Sequence, residues 1–229
     1  MFGDSSRYYD LIYGFKDYRQ ETEFLRILIE RVAPGARTLL DVACGTGEHL
    51  RYLTGYQAEG LDLNSEFLDI ARRKLPEVRF HLADMRDFKL GKTYDVITCL
   101  FSSIGYLLED ADVVSALSCF RRHLAPEGVA LVEPWFEPAV WERGRVGVQT
   151  VEDGDLKVCR MTQSGVEGNC SVFEAHHLVA KNGRIQYFTE THRMRLLTRE
   201  HLTQLFREAG WDAEYIEGGH AGRGLYVGR

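Results

Sequence analysis

Short, almost uniformly apolar segments alternate with amphipathic segments along the first 135 residues of the chain. Apolar residues recur every three or four positions in the amphipathic segments, as in helices. Strands that are apolar throughout are typical of a parallel sheet covered by helices on both faces. The pattern predicts an α/β fold with a doubly wound, Rossmann-like, mostly parallel sheet. We expect strands over residues 38–43, 58–63, 78–82, 94–100 and 128–134.

Residues 145–197 have a different pattern. Their β-prone stretches are separated by turn signals, among them Asp153-Gly154 and Asn182-Gly183. Asn-Gly between two strand-like runs indicates a hairpin. We expect an antiparallel sheet inserted beside the main one, whereas residues 1–144 and 198–229 form the Rossmann-like core. Asp17, Asn64 or Ser65, and Thr198 are the expected helix caps.

Composition and charge restrict the class of protein. Hydrophobic residues make up 45% and charged residues 27%, which is ordinary for a globular domain. No apolar run reaches the ~18 residues that cross a bilayer, and the first ten residues lack signal-peptide features. The net charge of −6 counts against a nucleic-acid partner. We therefore expect a soluble, cytoplasmic protein that binds neither nucleic acid nor membrane.

The sequence gives no sign of a metal site. The five cysteines include no C-x-x-C pair, which counts against structural zinc and a disulfide framework. His176 and His177 are strand neighbours, so their side chains point to opposite faces. We predict no bound metal.

The segment LLDVACGTG, residues 39–47, joins the first predicted strand to a helix. Glycines at 45 and 47 let the backbone approach a ligand and present amide donors at the helix N-terminus. A dinucleotide fingerprint would need glycine at position 50, where this chain has Leu50. A ligand with a pyrophosphate is therefore less expected here.

Acidic residues follow the next two strands. Asp62 ends the second strand, where a carboxylate can accept hydrogen bonds from both hydroxyls of a ribose. Asp84 and Met85 end the third, where they can bind an adenine amino group and pack on the ring. Together these residues indicate bound adenosine. Two simpler interpretations stay open: Asp41 only closes its turn, and Asp62 is a solvated strand end.

The strand-loop-acid pattern over residues 38–134 resembles the class I S-adenosylmethionine-dependent methyltransferases. The resemblance implies S-adenosyl-L-methionine as cofactor and S-adenosyl-L-homocysteine as product. Asp41 would orient the glycine loop near the methionine amino group, and Asp62 would bind the ribose. The cofactor-binding residues that the resemblance implies in this part of the chain are Asp41, Ala43, Gly45, Gly47, Asp62, Leu63, Asp84 and Met85.

A closer resemblance covers nearly the whole chain. The segments YDLIYGFKDY, DVACGTGEHL, ADMRDF, FSSIGYL, VEPW and GGHAGRGLYVG are similar to the dTDP-amino-sugar N,N-dimethyltransferases of macrolide deoxysugar pathways. The resemblance implies one or two methyl transfers to the amino group of a nucleotide-linked amino deoxysugar, a four-strand antiparallel insertion and a possible homodimer. This chain is shorter between Tyr13 and Lys16 than those enzymes, and VEPW lacks their second tryptophan. The identity of the sugar is therefore left open.

The same resemblance implies roles on the acceptor side. Tyr9 and Tyr18 would close over the cofactor or the substrate, and Leu100 and Phe101 would border the transferred methyl group. Tyr106 is the candidate catalytic residue, near the acceptor amine. Cationic groups favour phosphate, so Lys16, Arg193 and Arg223 are candidates for the diphosphate. The expected substrate-binding residues are Lys16, Ser102, Tyr106, Trp135, His176, Arg193 and Arg223.

Simpler interpretations remain open on this side too. Tyr106 could only pack against a helix, Lys16 or Arg193 could be a solvated charge, and His192 could be an exposed strand residue.

Other functions stay open on the residues alone. They are a class I methyltransferase for another small molecule, a non-catalytic adenosyl-binding module, and a dehydrogenase, against which Leu50 counts. A DNA amino-methylase is not expected, because residues 101–104 read FSSI where those enzymes have an Asn/Asp-Pro-Pro-Tyr/Phe segment.

Overall fold

The computed structural model describes residues 3–219 and 222–229 and contains two sheets. The strands are β1 (Thr38–Val42), β2 (Gln57–Asp62), β3 (Arg79–Leu82), β4 (Tyr94–Cys99), β5 (Leu124–Val132), β6 (Val146–Asp153), β7 (Leu156–Glu167), β8 (Cys170–Lys181), β9 (Arg184–Arg195), β10 (Ala213–Ile216) and β11 (Leu225–Gly228). The main sheet has the order β10-β11-β5-β4-β1-β2-β3, and β6 to β9 form the second sheet. Strands β1 to β5 pair in parallel, whereas β10 and β11 are antiparallel. The predicted fold class is confirmed.

Helices cover both faces of the main sheet. The helices are α1 (Tyr9–Ile12), α2 (Tyr18–Val32), α3 (Glu48–Tyr52), α4 (Ser65–Lys74), α5 (Asp110–Arg122) and α6 (Arg199–Glu208). Apolar residues of α5 and α6 pack in one core cluster, and those of α2, α3 and α4 in the other. Each cluster also contains side chains from one face of β1, β4 and β5, which explains why these strands are apolar on both faces.

The predicted caps start three of the helices. Asp17 accepts a hydrogen bond from the Gln20 amide at the start of α2. Asn64 accepts from two amides of α4, and Thr198 accepts from the His201 amide of α6. These side chains satisfy amide groups that have no partner inside the helix.

The chain order reverses between β1 and β4, the two strands at the centre of the main sheet. Ala43, just after β1, and Phe101 and Ser102, just after β4, have positive φ angles of 58°, 51° and 61°. Residues with a Cβ atom rarely adopt positive φ angles, so the backbone is strained at the carboxyl ends of both central strands. A doubly wound sheet binds its ligands in the crevice at this position.

The second sheet has two unlike faces. Its three hairpin turns include Gly154, Gly168 and the pair Asn182-Gly183, all with positive φ, as the turn signals predicted. Every second residue of these strands faces the main sheet and the N-terminal segment, and we call this side the inner face. On the opposite, outer face six large apolar side chains are exposed: Val146, Val148, Met161, Leu178, Ile185 and Tyr187.

None of the helices in the described ranges combines the length and apolar character that crossing a bilayer requires.

Candidate active site

A cleft of about 670 Å³ lies between the carboxyl ends of the main-sheet strands and the inner face of the second sheet. A narrow extension of about 40 Å³ continues below the loop that follows β1. Residues that follow each of β1 to β5 line the cleft, together with part of the N-terminal segment. A pocket that combines apolar walls with a few polar groups at a switch point is the expected form of a small-molecule site.

The glycine loop forms one wall of the narrow extension. Ala43 and Gly45 line it, and the Gly45 amide donates to Asp62 Oδ2 at 2.8 Å. A Cβ at Gly45 would meet no atom within 4 Å, so this backbone is open to a ligand. Gly47 is different, because it does not line the cleft and a Cβ there would lie 3.2 Å from Leu75. Gly47 starts α3 with φ 80° and lets α3 pack closely against α4, and its predicted role in cofactor binding stays a prediction.

Asp41 lines the narrow extension together with Tyr18 and Leu100. Burial raises the pKa of the Asp41 carboxyl to about 6, although a hydrogen bond of 2.7 Å from Thr98 Oγ1 and the charge of His49 act in the opposite direction. A buried carboxylate with so little compensation favours a cationic ligand beside it.

Asp62 and Leu63 line the main cleft after β2. The two Asp62 oxygens accept hydrogen bonds from the backbone amides of Gly45 and Asn64, each at 2.8 Å. Burial nevertheless raises the pKa of Asp62. Because a carboxylate oxygen has two acceptor positions, the side chain keeps capacity for ligand hydroxyls.

Asp84 and Met85 lie in the cleft wall after β3, as predicted. Arg86, which the sequence analysis missed, binds both oxygens of Asp84 and also pairs with Asp112 at 3.1 Å. The hydrogen bonds from Arg86 lower the pKa of Asp84 and fix its orientation.

The strained turn after β4 is bound to a buried carboxylate. Glu133 accepts hydrogen bonds from the Phe101 amide at 2.7 Å and from Arg223 Nε at 2.8 Å. Phe101 and Arg223 line the cleft, but Ser102 does not: it is fully buried and donates to the Pro134 carbonyl at 2.7 Å. The Ser102 side chain thus serves the turn itself, and its predicted role in substrate binding stays a prediction.

Tyr106 lies in the cleft, and its Oη is 2.9 Å from His192 Nδ1. His192 is in turn 3.7 Å from Glu190, which accepts hydrogen bonds from the Gly3 amide and from Ser5. Burial opposes the ionisation of Glu190, but the hydrogen bonds from His192, Ser5 and Gly3 outweigh it and lower its pKa to about 2. Burial, and next the charge of Tyr13, raises the pKa of Tyr106, so its hydroxyl stays protonated at neutral pH.

Aromatic side chains from the N-terminal segment cover the point where the narrow extension meets the main cleft. Tyr9 packs against Tyr13 and Phe67 with ring centroids 4.5 and 4.9 Å apart, and Tyr13 packs edge-on against Phe101 at 5.4 Å. Tyr9 lines both cavities, whereas Tyr18 lines only the extension. These rings restrict access of water to the junction.

Besides Ser102, three predicted substrate-binding residues lie outside the cleft. Lys16 pairs with Glu21 at 2.7 Å and lies over the outer side of Phe101 without lining the cleft. His176 and Arg193 are on the outer face of the second sheet, where they contact Tyr187 and Glu167. The reason is strand alternation, which turns their neighbours His177 and His192 inward instead.

Several site residues were missed or left undecided. Arg160, Phe173 and Met194 line the cleft from the inner face, and Trp135 donates from Nε1 to Ser171 on the same face at 2.9 Å. Side chains alternate between the two faces along a strand, so counting every second residue from the apolar Val158 and Ala175 would have identified the inward positions. The sequence showed no equivalent signal for Glu133, whose partners are distant along the chain.

The sequence and the fold of the chain are similar to those of known methyltransferases over nearly the whole chain. A methyltransferase domain family matches residues 39–128. The dTDP-3-amino-3,6-dideoxy-alpha-D-glucopyranose N,N-dimethyltransferase of Streptomyces fradiae is 44% identical over 99% of this chain and 91% of that protein. The crystal structure of Streptomyces venezuelae DesVI covers 100% of this chain and 99% of that one, with 38% identity and a TM-score of 0.92.

A third relative links the fold to the cofactor. CalS10, an amino pentose methyltransferase from Micromonospora echinaspora solved with SAM bound, covers 100% of this chain and 97% of that one. Its identity is 36% and its TM-score 0.86. The chain is thus an S-adenosylmethionine-dependent methyltransferase, and it belongs to the family of the dTDP-amino-sugar N,N-dimethyltransferases.

Proposed function

We propose that the chain transfers one or two methyl groups from S-adenosylmethionine to the amino group of a dTDP-linked amino deoxysugar. The observation that carries the proposal is a single cleft in which Asp41 and Asp62 lie at one end and Tyr106, backed by His192 and Glu190, faces the other. The S. fradiae relative is named for this reaction on a 3-amino sugar.

The donor end of the cleft suits an adenosyl sulfonium. In this proposal Asp41 binds the methionine ammonium, Ala43 and Gly45 approach the methionine chain through the backbone, and Asp62 binds the ribose. The adenine contacts Asp84 and Met85. Four further residues complete the donor end of the proposal: Leu63, Leu100, Tyr9 and Tyr18. The support is that all of these residues line the cleft or its extension.

The acceptor end lies against residues 145–197, which we propose as the substrate side of the molecule. Trp135 and Arg223 border it from the main sheet, and Phe173 and His192 from the inner face. Phe101 lies where the donor end meets the acceptor end and would border the transferred methyl group.

Methyl transfer is an in-line displacement at carbon. The cofactor would supply the methyl group, and its sulfonium sulfur is an excellent leaving group. The nitrogen lone pair forms the new N–C bond, the C–S electrons pass to sulfur, and the nitrogen loses its proton. The chain's task is to place a neutral amine about 3–3.5 Å from the methyl carbon, in line with the breaking bond. Tyr106 Oη can accept the amine's hydrogen bond while it donates to His192 Nδ1, which fixes the direction of the amine's lone pair.

We also propose that the chain forms a homodimer through the outer face of the second sheet. Antiparallel sheets with one packed face normally present polar residues on the other, so six exposed apolar side chains on that face need a partner. Three strands of twelve residues and one of eight cover on the order of 700 Å², close to the ~800 Å² per partner of a stable interface. Sedimentation should find a dimer that Leu178→Glu converts to monomer, and a wild-type monomer would refute this proposal.

The expected cytoplasmic location also stays a proposal, supported by five cysteines that are all free thiols.

The proposed activity predicts a defined mass change. Incubated with S-adenosylmethionine, the enzyme should add one and then two methyl masses to a dTDP-amino deoxysugar, as followed by mass spectrometry. The same sugar with a hydroxyl in place of the amine is the control and should stay unmodified. Turnover of other small-molecule amines with no reaction of any dTDP-amino sugar would favour the alternative, a methyltransferase for another acceptor. Cofactor binding without turnover of any acceptor would indicate a binding module.

Replacement of Tyr106 by phenylalanine tests its role. Because Tyr106 stays protonated and the amine can lose its proton to water, we expect Tyr106→Phe to raise KM for the sugar and to lower kcat by less than tenfold. Tyr56→Phe, far from the cleft, is the matched control. A kcat loss of about 10²–10⁴ would instead establish acid–base catalysis by Tyr106.

The raised pKa of Asp41 predicts a pH dependence of cofactor binding. Below about pH 6 the free enzyme holds Asp41 neutral, and binding of the methionine ammonium requires it to ionise. The affinity for S-adenosylhomocysteine, measured by calorimetry, should therefore rise by up to about tenfold per pH unit below pH 6 and level off above it. Asp41→Asn should bind more weakly at pH 7.5 and lose most of this dependence, whereas the exposed Asp69→Asn should keep it. A wild-type affinity that stays constant from pH 5 to 7.5 would contradict the assignment.

A further inference from the structure

A separate cavity of about 560 Å³ opens on the inner face of the second sheet, at the end of the sheet that is far from the cleft. Along β8, Phe173 lines the cleft and Lys181 lines this cavity, about 27 Å away by strand geometry. Val179 lies between them on the same face and packs with Tyr8 and Val158 in an apolar cluster. Of the described residues around this cavity, none lines the cleft or its narrow extension.

Three cations line the cavity: Arg7 of the N-terminal segment, Lys181 at the end of β8 and Arg184 at the start of β9. Within residues 3–219 and 222–229, none of the three forms an ion pair with a carboxylate. Asp155 in the neighbouring turn does not line the cavity, and its carboxylate accepts from the Asn182 amide at 3.2 Å. Guanidinium and ammonium groups favour phosphate oxygens, so three of them without a counter-charge favour a phosphate between them.

Two of these cations are opposed in the sheet itself. Lys181 and Arg184 flank the Asn182-Gly183 turn and lie directly opposite each other across β8 and β9. Side chains in such a pair start about 4.5–5.5 Å apart at Cβ, and like charges there destabilise a sheet. The hairpin gains nothing from two positive charges at this position. An anion bound between the two side chains would replace their repulsion by two attractions.

The other side chains around the cavity suit an organic molecule that carries phosphate. Asn182 and Gln186 add amide donors, and neither side chain forms a hydrogen bond in the part of the chain that the structure describes. Tyr8, Leu156 and Val179 form an apolar floor. The volume is in the range of small-molecule sites, and a single phosphate would fill only a part of it.

We infer that this cavity is a second ligand site, which binds a small molecule with a multiply charged phosphate group between Arg7, Lys181 and Arg184. The inference goes beyond the proposed function and does not depend on it, because the cavity and the cleft have no described lining residue in common.

The position of Arg7 connects this site to the cover of the cleft. Arg7 belongs to the short 3₁₀ helix Asp4–Tyr8, in which Ser5 donates to Glu190. The helix leads directly into Tyr9, whose ring covers the cleft junction. A phosphate bound to Arg7 and to the β8–β9 hairpin thus ties this segment to the second sheet and stabilises the cover.

Calorimetry with inorganic pyrophosphate, on the full chain with S-adenosylhomocysteine bound, tests the inference. The double variant Lys181→Gln, Arg184→Gln should bind pyrophosphate about 10- to 100-fold more weakly than the wild type, as expected when hydrogen bonds to charged groups are lost. Its affinity for S-adenosylhomocysteine should stay unchanged. Lys157→Gln is the matched control, since Lys157 is exposed on the outer face of the same sheet end and pairs with Glu152.

A second substitution separates ligand binding from stability. Lys181→Glu places opposite charges across the hairpin, so the variant without ligand should unfold at the wild-type temperature or above it. Pyrophosphate should raise the unfolding temperature of the wild type and leave that of Lys181→Glu unchanged. Amide hydrogen exchange should slow in residues 4–8 and 181–184 of the wild type when pyrophosphate binds.

The outcomes that would overturn the inference are distinct. They are a wild type that binds no pyrophosphate, and a double variant that binds it as tightly as the wild type, which would place the bound pyrophosphate elsewhere. An equal loss in Lys157→Gln would also overturn it, because the response would then follow net charge alone. Repetition with uridine diphosphate distinguishes the sources of phosphate. Tighter binding than pyrophosphate, lost in the double variant, identifies a nucleotide, and equal binding identifies a site for the phosphates alone.

Discussion

The buried carboxylate of Glu133 is the contact on which the geometry of the whole cleft depends. It accepts from the amide of Phe101 and from the guanidinium of Arg223, and its side chain is essentially inaccessible to water. A buried charge is tolerated only when it is hydrogen-bonded and paired in this way. Glu133 thus joins the end of β5 to the turn after β4 and to the C-terminal loop before β11. Phe101, which lines both cavities, takes its position from this contact.

The two ends of the cleft differ in their electrostatics, and each end suits the ligand proposed for it. At the donor end, burial raises the pKa of Asp41 and Asp62, so both carboxyls gain from a ligand that carries positive charge and hydroxyl donors. At the acceptor end, Glu190 is ionised at neutral pH and is satisfied by the N-terminal segment and by His192. The same segment carries Tyr9 and Tyr13, so Glu190 links the position of these two rings to that of His192 and Tyr106.

Much of the fold was predictable because its signals are local. Apolar strands, helix caps and Asn-Gly turns depend on neighbouring residues, and the predicted strands end within one residue of those observed for β1, β2 and β4. The residues that line the donor end could be predicted for the same reason, since a carboxylate at the end of a parallel strand has a fixed place in a doubly wound sheet. At the acceptor end only Tyr106, Trp135 and Arg223 of the predicted residues line the cleft. His176 and Arg193 were assigned inward although strand phase places them outward, and the partners of Ser102 and Arg223 converge only in the folded chain.

The most direct test of this account is the effect of Glu133→Gln on both ends of the cleft, measured as the affinities of the folded variant for S-adenosylhomocysteine and for dTDP. If Glu133 positions Phe101 and the turn after β4, both affinities should fall about tenfold or more, as expected when hydrogen bonds to a charged group are lost. Glu167→Gln, which removes an exposed carboxylate from the outer side of the second sheet, should change neither. A folded Glu133→Gln variant that binds both ligands as tightly as the wild-type enzyme would contradict the account.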